Sequence, residues 1–479
     1  MPPNESLRTP ARGHARLQHV WQRNFAVFFA CSCWVGALLP LALPMPLGPL
    51  SIVIGVLVRK RGVIFLSGFL AASVMSFQAR EGLQPLASRQ WEGEVTMVSD
   101  PNLVPGRVLV DVDSSMGRLQ LSTSGRQAAV VRKLIAGSHL SVRGSLRPLT
   151  HPDRVVARHL RMALVATEVS SSEVTDTWRV SVNVVRSTIL RGADALPEKQ
   201  RPIYAGFVIG ADQGSDEAVI NNFEASGLSH LLVVSGENVV FVIAVATPLL
   251  ARLGRRTRTV ALLAVLVLFA GITRFEPSVL RATAMAMIAV AGASTGRPVA
   301  ARARLGVAVG VLLLLDPLLV ESLGFRLSVA ATIGITLFAQ RISKRLVGPQ
   351  WFRQVLGITI AAQIAVAPLV IPVFGPMPLA SLPANVLAEP VAGLVMMWGS
   401  SVGLLAGLLG GWPAVVLQLP VRVGVWWIME VASRCATLPL PRISLPVLGM
   451  CCLSAVVWSR VTVARNRRRA TRFDRLSAG

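Results

Sequence analysis

The chain has 479 residues, 53% of them hydrophobic and 15% charged, with a mean hydropathy of +0.58, which excludes an ordinary soluble protein and reads as a polytopic membrane protein. Its formal charge is +24, from 48 Lys and Arg against 24 Asp and Glu, yet the long polar region from Arg80 to Gly227 holds 17 basic and 16 acidic residues. The excess therefore sits in tails and short loops between apolar runs, a positive-inside signature that reports orientation and excludes the charge itself as evidence for a nucleic-acid partner. Cys31, Cys33, Cys435, Cys451 and Cys452 all lie in or beside apolar segments, so they read as small hydrophobes rather than a disulfide framework. The six histidines are scattered without metal-ligand spacing, and no cofactor or enzyme chemistry is expected.

Taken in order, residues 1 to 23 carry Arg8, Arg12, Arg16 and Arg23 and precede the apolar run NFAVFFACSCWVGALLPLAL, an uncleaved anchor that starts in the cytoplasm. A tight basic turn at Arg59, Lys60 and Arg61 divides the next run into spans 47 to 58 and 62 to 79. From Trp91 to Ser170 the pattern becomes short and alternating, WEGEVTMV, RVLVDVDS, RLQLSTS, HLSVRGSL and HLRMALVATEV, which predicts five strands of a small extracellular barrel. A helix-like insert at 127 to 137 falls between the third and fourth strands, the place where an OB-fold carries its helix. Trp91 is the one aromatic residue there, so base stacking is a weaker expectation than a structural or phosphate-brushing role.

Trp178, Val182, Val185, Ile189, Ala193 and Leu196 fall at helical spacing with Arg179, Arg186 and Arg191 outside the stripe. This predicts an amphipathic helix, either lying on the outer membrane face or packed against the barrel. Spans then alternate with basic loops: 228 to 250, 259 to 273, 277 to 293, 304 to 320, 322 to 339, 355 to 374, 385 to 409, 413 to 434 and 443 to 462. The expected fold is mostly α, a polytopic helical membrane protein of about 12 spans with an extracellular OB-like barrel and both termini cytoplasmic. Its divisions are an anchor (1 to 80), the barrel (88 to 172), linker helices (176 to 226), a transmembrane channel domain (227 to 464) and a basic tail (465 to 479).

Four stretches put polar groups or helix breakers at membrane depth, where a charged side chain costs about 2.5 to 3.5 kcal/mol and so faces a bundle interior or a wet cavity. The first, Gly227 to Val245, is read as a helix carrying His230, Ser235, Glu237 and Asn238. Arg281 follows Pro277 in the second, and Arg326 sits likewise in the third. The fourth, 361 to 390, holds Gln363, Asn385, Glu389 and six prolines and cannot be one straight helix. Arg281 and Arg326 either face an anionic solute, snorkel to the outer interface, or pair with Glu237, Glu321 or Glu389. A secondary transporter for a smaller anionic or lipid-linked solute, coupled through Glu237, is an alternative reading of the same broken helices.

GLSHLLVVSGENV, PSVLRATAM, LDPLLVESLGFRLSVAATIGI and AAQIAVAPLVIPVFGPMPLASLPANVLAEPV occur in this order and resemble the competence domain of the ComEC family, the inner-membrane DNA-uptake channel of natural transformation. The resemblance implies conduction of one DNA strand across the cytoplasmic membrane. It also implies contact with membrane lipids, delivery by an extracellular DNA receptor and traction by a cytoplasmic ATPase or helicase. Many members end in a metallo-β-lactamase-like domain. This chain runs into a basic tail without an H-x-H-x-D-H motif, so any nuclease is expected to be a separate protein. Members also often carry a Leu-His pair after the SG, where this chain has Glu237 and Asn238.

Overall fold

The computed structural model describes residues 11–444 and 446, apart from 59, 86, 150–157, 173–175 and 212–213; the expected span at 443 to 462 and the basic tail lie almost wholly outside them. The chain opens with three helices, α1 (Ala11–Leu38), α2 (Leu47–Val58) and α3 (Arg61–Glu81). The barrel follows, with β1 (Gln90–Met97), β2 (Asn102–Val104), β3 (Arg107–Ser114), β4 (Gly117–Thr123), the short α4 (Gly125–Val131), β5 (His139–Arg147) and β6 (Met162–Ser172).

All five expected strands form, and the sheet closes in the order β1-β5-β6-β4-β3 with β3 returning to β1. β4 pairs with β6 in parallel and the other pairings are antiparallel. This is the OB-fold order, with α4 in the expected connection although shorter than 127 to 137. The alternation that betrayed the strands is the inside–outside alternation of the pleat. Val108, Val110 and Val112 on β3 meet Leu119 and Leu121 on β4 in a core completed by Leu140, Val142, Met162 and Leu164. Each such side chain contributes roughly 1.5–3 kcal/mol on burial. β2, three residues long, is an addition that alternation over so short a run could not reveal. Trp91 packs partly buried against this core, its ring lying over Gly93, rather than standing free as a stacking platform.

The amphipathic helix is α5 (Thr177–Ala193). Much of its stripe packs onto other helices: Val182, Ile189, Ala193 and Leu196 join one core with helices α6 (Arg201–Ile209), α14 (Ser381–Leu409) and α16 (Leu419–Ala436). The approach to α14 is so close that a β-carbon on Gly192 or Gly407 would overlap the opposing backbone carbonyl, the small-residue contact that membrane helices use.

Helices α7 (Glu217–Ser226), α8 (Glu237–Leu249), α9 (Arg255–Ile272), α10 (Pro277–Ser294) and α11 (Ala301–Leu315) follow. Then come α12 (Leu323–Gly334, carried on by a π turn, Ile335–Ala339), α13 (Gln350–Phe374), α14, α15 (Gly411–Leu417) and α16. Two-residue strands β7 (Met377–Pro378) and β8 (Arg442–Ile443) pair. Among the described residues five helices are long and apolar enough to cross a membrane, or six if α15 and α16, bent by 53°, count as one. The expected count of about twelve therefore rests on shorter apolar helices, among them α2 and α8, and on residues beyond the described ones.

The barrel is fastened to the helices by polar and charged side chains. In the turn after β1, Asp100 Oδ2 meets Arg186 Nη2 of α5 at 2.7 Å and its Oδ1 meets Arg274 Nη2, after α9, at 2.8 Å. His159 Nε2 lies 2.9 Å from Asp316 Oδ1, just past α11. Arg186, placed on the polar side of α5 by its spacing, is thus buried. Burial works against ionisation of Asp100, but Arg186, Arg274 and the Ala136 amide outweigh it and hold the carboxyl below its usual range.

A broken helix as candidate channel site

The Gly227 to Val245 stretch is not the continuous helix its hydropathy suggests. α7 ends at Gly227 in the left-handed conformation (φ 75°), with Ser381 so near that a β-carbon there would come within 2.5 Å of the Ser381 Cβ. A single 3₁₀ turn, Ser229–Leu231, follows, and α8 begins only at Glu237. The reason is local. Ser235 Oγ accepts the Glu237 amide at 3.2 Å and donates to Asn238 Oδ1 at 3.5 Å, so its hydroxyl competes for backbone that a helix would use. His230 and Ser235 consequently do not share a helix.

Such a break must have its freed backbone satisfied, and polar side chains do it. Asn238, buried, ties the start of α8 to the last turn of α6 by donating to the Phe207 carbonyl at 2.6 Å. Ser278, in the first turn of α10, donates to the Val234 carbonyl at 2.9 Å. Pro277 at the first position of that helix sacrifices no hydrogen bond, which is why α10 can start there.

Around the break the sequence-predicted residues divide into groups. Arg281, one turn into α10 and 7% exposed, donates from Nε to Ser328 Oγ of α12 at 2.8 Å. Its Nη2 lies 2.9 Å from the point where a β-carbon on Gly236 would stand, and it makes no ion pair with a described carboxylate. On the other side, His230 Nε2 lies 3.8 Å from Glu389 Oε1 on α14, and Glu237 is within Coulombic reach of both. Ser381, Asn385 and Glu389 succeed one another at four-residue intervals on α14, and Gln363 of α13 donates to Ser381 Oγ at 2.9 Å. This makes a polar line from Gln363 to Glu389 and across to His230 and Glu237. Asn385 is 4% exposed and its Oδ1 has no hydrogen-bond partner among the described residues.

Arg326 stands apart. Its Nη2 meets Glu321 Oε2 at 2.7 Å, and Arg80 of α3 meets the other oxygen of the same carboxylate at 2.5 Å. Arg326 is therefore a tie between the anchor helices and α12, not a free cation. Nor does either arginine neutralise Glu237, whose titratable neighbours are Glu389 and His230.

A family model for competence proteins matches residues 207–469, more than half of the chain and a range that holds all nine candidate residues. The chain belongs to the competence protein family. A curated relative, ComE operon protein 3 of Bacillus subtilis (strain 168), is 24% identical over 274 residues, which is 56% of this chain and 34% of that protein, so the likeness spans about a third of the relative's length. No solved structure matches the chain. The competence-family match begins inside α6 and takes in the whole break, α8 to α16 and both arginine motifs, while the barrel and α1–α3 lie before it. The order of motifs read from the sequence is thus the order of the helices that surround the break.

Proposed function

We propose that this competence-family protein conducts a single DNA strand across the cytoplasmic membrane during natural transformation, through the path around the 231–237 break. The observation that carries this reading is Arg281, a buried guanidinium without a carboxylate partner among the described residues, beside an irregular turn. A desolvated cation of that kind suits a passing phosphate. Asn385, Gln363 and Ser235 add uncharged hydrogen-bonding groups. Few charges spaced among neutral polar groups keep binding weak enough for movement.

In this reading the barrel stands outside. α9 ends and α10 begins beside Asp100, and α11 ends beside His159, so the basic loops 252–258, 297–304 and 341–345 fall at the ends of their helices away from the barrel. With positive loops inside, the barrel faces the delivery side. A membrane potential negative inside opposes an entering anion by about 2.3 kcal/mol per charge per 100 mV. Traction therefore comes from a cytoplasmic ATPase or helicase, with a surface receptor presenting DNA. No catalytic step is assigned to this chain.

Deleting the gene and scoring transformation by a selectable linear DNA, with surface binding measured separately, tests the reading. Retained binding with lost uptake is expected, and unchanged transformation would sink it. The Glu237, Glu389 and His230 cluster favours a second reading, a proton-coupled transporter of a smaller anion. That reading requires pH-dependent flux that disappears in Glu237→Gln.

A further inference from the structure

Two lines of contact run from the buried Asp100 to the two sides of the break. Along the first, Asp100 holds Arg186, which also donates to the carbonyls of Ile209 at 2.8 Å and Ile272 at 2.7 Å. Two residues before Ile209, the Phe207 carbonyl receives Asn238 at 2.6 Å. Along the second, Asp100 holds Arg274, which with Phe275 takes left-handed backbone (φ 56° and 55°), a conformation that non-glycine residues keep only where surroundings enforce it. Three residues on, α10 begins with Ser278 bonded to the Val234 carbonyl and Arg281 against Gly236. Asn183 braces the centre, donating to the Ala136 carbonyl at 2.8 Å and accepting from Arg274 at 2.9 Å. A contact that only glued the barrel in place would need none of the bonds to Ile209 and Ile272, the last residues of α6 and α9.

We propose that Asp100 is a positioning residue for the break: through Arg186 and Arg274 this barrel carboxylate sets where the starts of α8 and α10 stand, and so the spacing between Asn238 and Arg281. Removing one side of such a buried pair leaves a charge uncompensated, so the arginines move rather than stay. The inference concerns the position of the break and holds whatever solute passes it; a failure here leaves the proposed conduction standing, and a failure of conduction leaves this standing.

The test uses the full chain in membranes with Ser235→Cys, labelled by a bulky water-soluble maleimide, the parent chain supplying the background from its own cysteines. Asp100→Asn is expected to change the labelling rate at 235 by about tenfold, and Asp100→Glu by about threefold or less. Asp113→Asn, which breaks an Asp113–Arg118 pair on the barrel surface, is expected to leave the rate unchanged. An unaltered rate in Asp100→Asn, with the chain still inserted and protease-resistant, overturns the proposal and leaves Asp100 an anchor only. Should Asp100→Asn fail to insert, Arg274→Gln keeps the Asp100–Arg186 pair and breaks one line alone. It must then still change labelling by about threefold, and an unchanged rate there overturns the proposal equally.

Discussion

The guanidinium of Arg281 lies against Gly236, 2.9 Å from where a β-carbon on that glycine would stand, and answers to a serine rather than a carboxylate. Arg326, its counterpart by sequence, is held by Glu321. Two arginines with the same helical placement thus have different chemistry, and the functional predictions separate along that line.

Arg281→Gln is expected to abolish transformation while leaving the amount of protein in the membrane unchanged, and Arg281→Lys to retain part of it, because the ammonium keeps the charge but not the fork. Quantitative transformation beside membrane immunoblots reads both. Loss of the protein itself would mean that Arg281 holds the fold and not the cargo.

Arg326→Gln is expected to act on stability instead. Glu321 serves both Arg326 and Arg80, each of these groups being a quarter to a third exposed, so the three form one unit. Glu321→Gln added to Arg326→Gln is expected to cost less than in the parent, with a coupling of about 0.5–3 kcal/mol before screening reduces it. Thermal midpoints of the purified chain in detergent measure the cycle; strict additivity contradicts it.

Gly236→Ala places its methyl 2.8 Å from the Ala282 Cβ, a neighbour that cannot swing aside as the Arg281 fork can. The starts of α8 and α10 must part, at roughly 1–3 kcal/mol, and transformation is expected to fall in a chain that still inserts. Gly407→Val, where any β-carbon overlaps the Thr188 carbonyl, is expected instead to prevent α5 from docking and to lower the amount of folded protein. Equal behaviour of the two variants would contradict the separation of break and scaffold.

Asp100 makes the stability of the barrel junction depend on pH. Its folded-state pKa lies below its ordinary value, so its contribution is complete above the usual carboxylate range and lost as pH falls through that range toward the depressed value. Asp111, raised chiefly by burial, works in the opposite sense, so the comparison is with Asp100→Asn. The difference in stability between the two chains is expected to hold from neutral pH down to about pH 5 and to shrink below about pH 4. A difference that grew on acidification would reverse the assignment.

Local patterns carried most of the architecture. The five strands, the insert between the third and fourth, a break within 361–390 and the basic loops were all legible, because pleat, turn chemistry and membrane charge bias act over a few residues. The Arg326–Glu321 pair was open among the alternatives for the same reason, the partners standing five residues apart. What was hidden depends on distant partners. Arg186 lies on the polar side of its own helix, and only Asp100, 86 residues earlier, explains its burial. Hydropathy likewise made Gly227 to Val245 a single helix, since Leu232, Val233 and Val234 are apolar whether helical or not; the bonds that hold them otherwise come from Ser235 and from Ser278, on another helix. Gly399, Gly403 and Gly407 do recur every fourth residue on α14, but which helix packs on that small face is set by Gly192, about two hundred residues earlier, and is not written locally.

The central claim is that the helices around the break conduct a DNA strand with Arg281 touching its phosphates. The purified full chain in liposomes, with a single-strand-binding protein trapped inside and labelled strands added outside, tests it through protection of the label from external nuclease. Protection of single strands, absence of protection for duplexes, and loss of protection in Arg281→Gln but not in an inserted Arg326→Gln are predicted. Undiminished protection in Arg281→Gln, or none in the parent chain, would contradict the account.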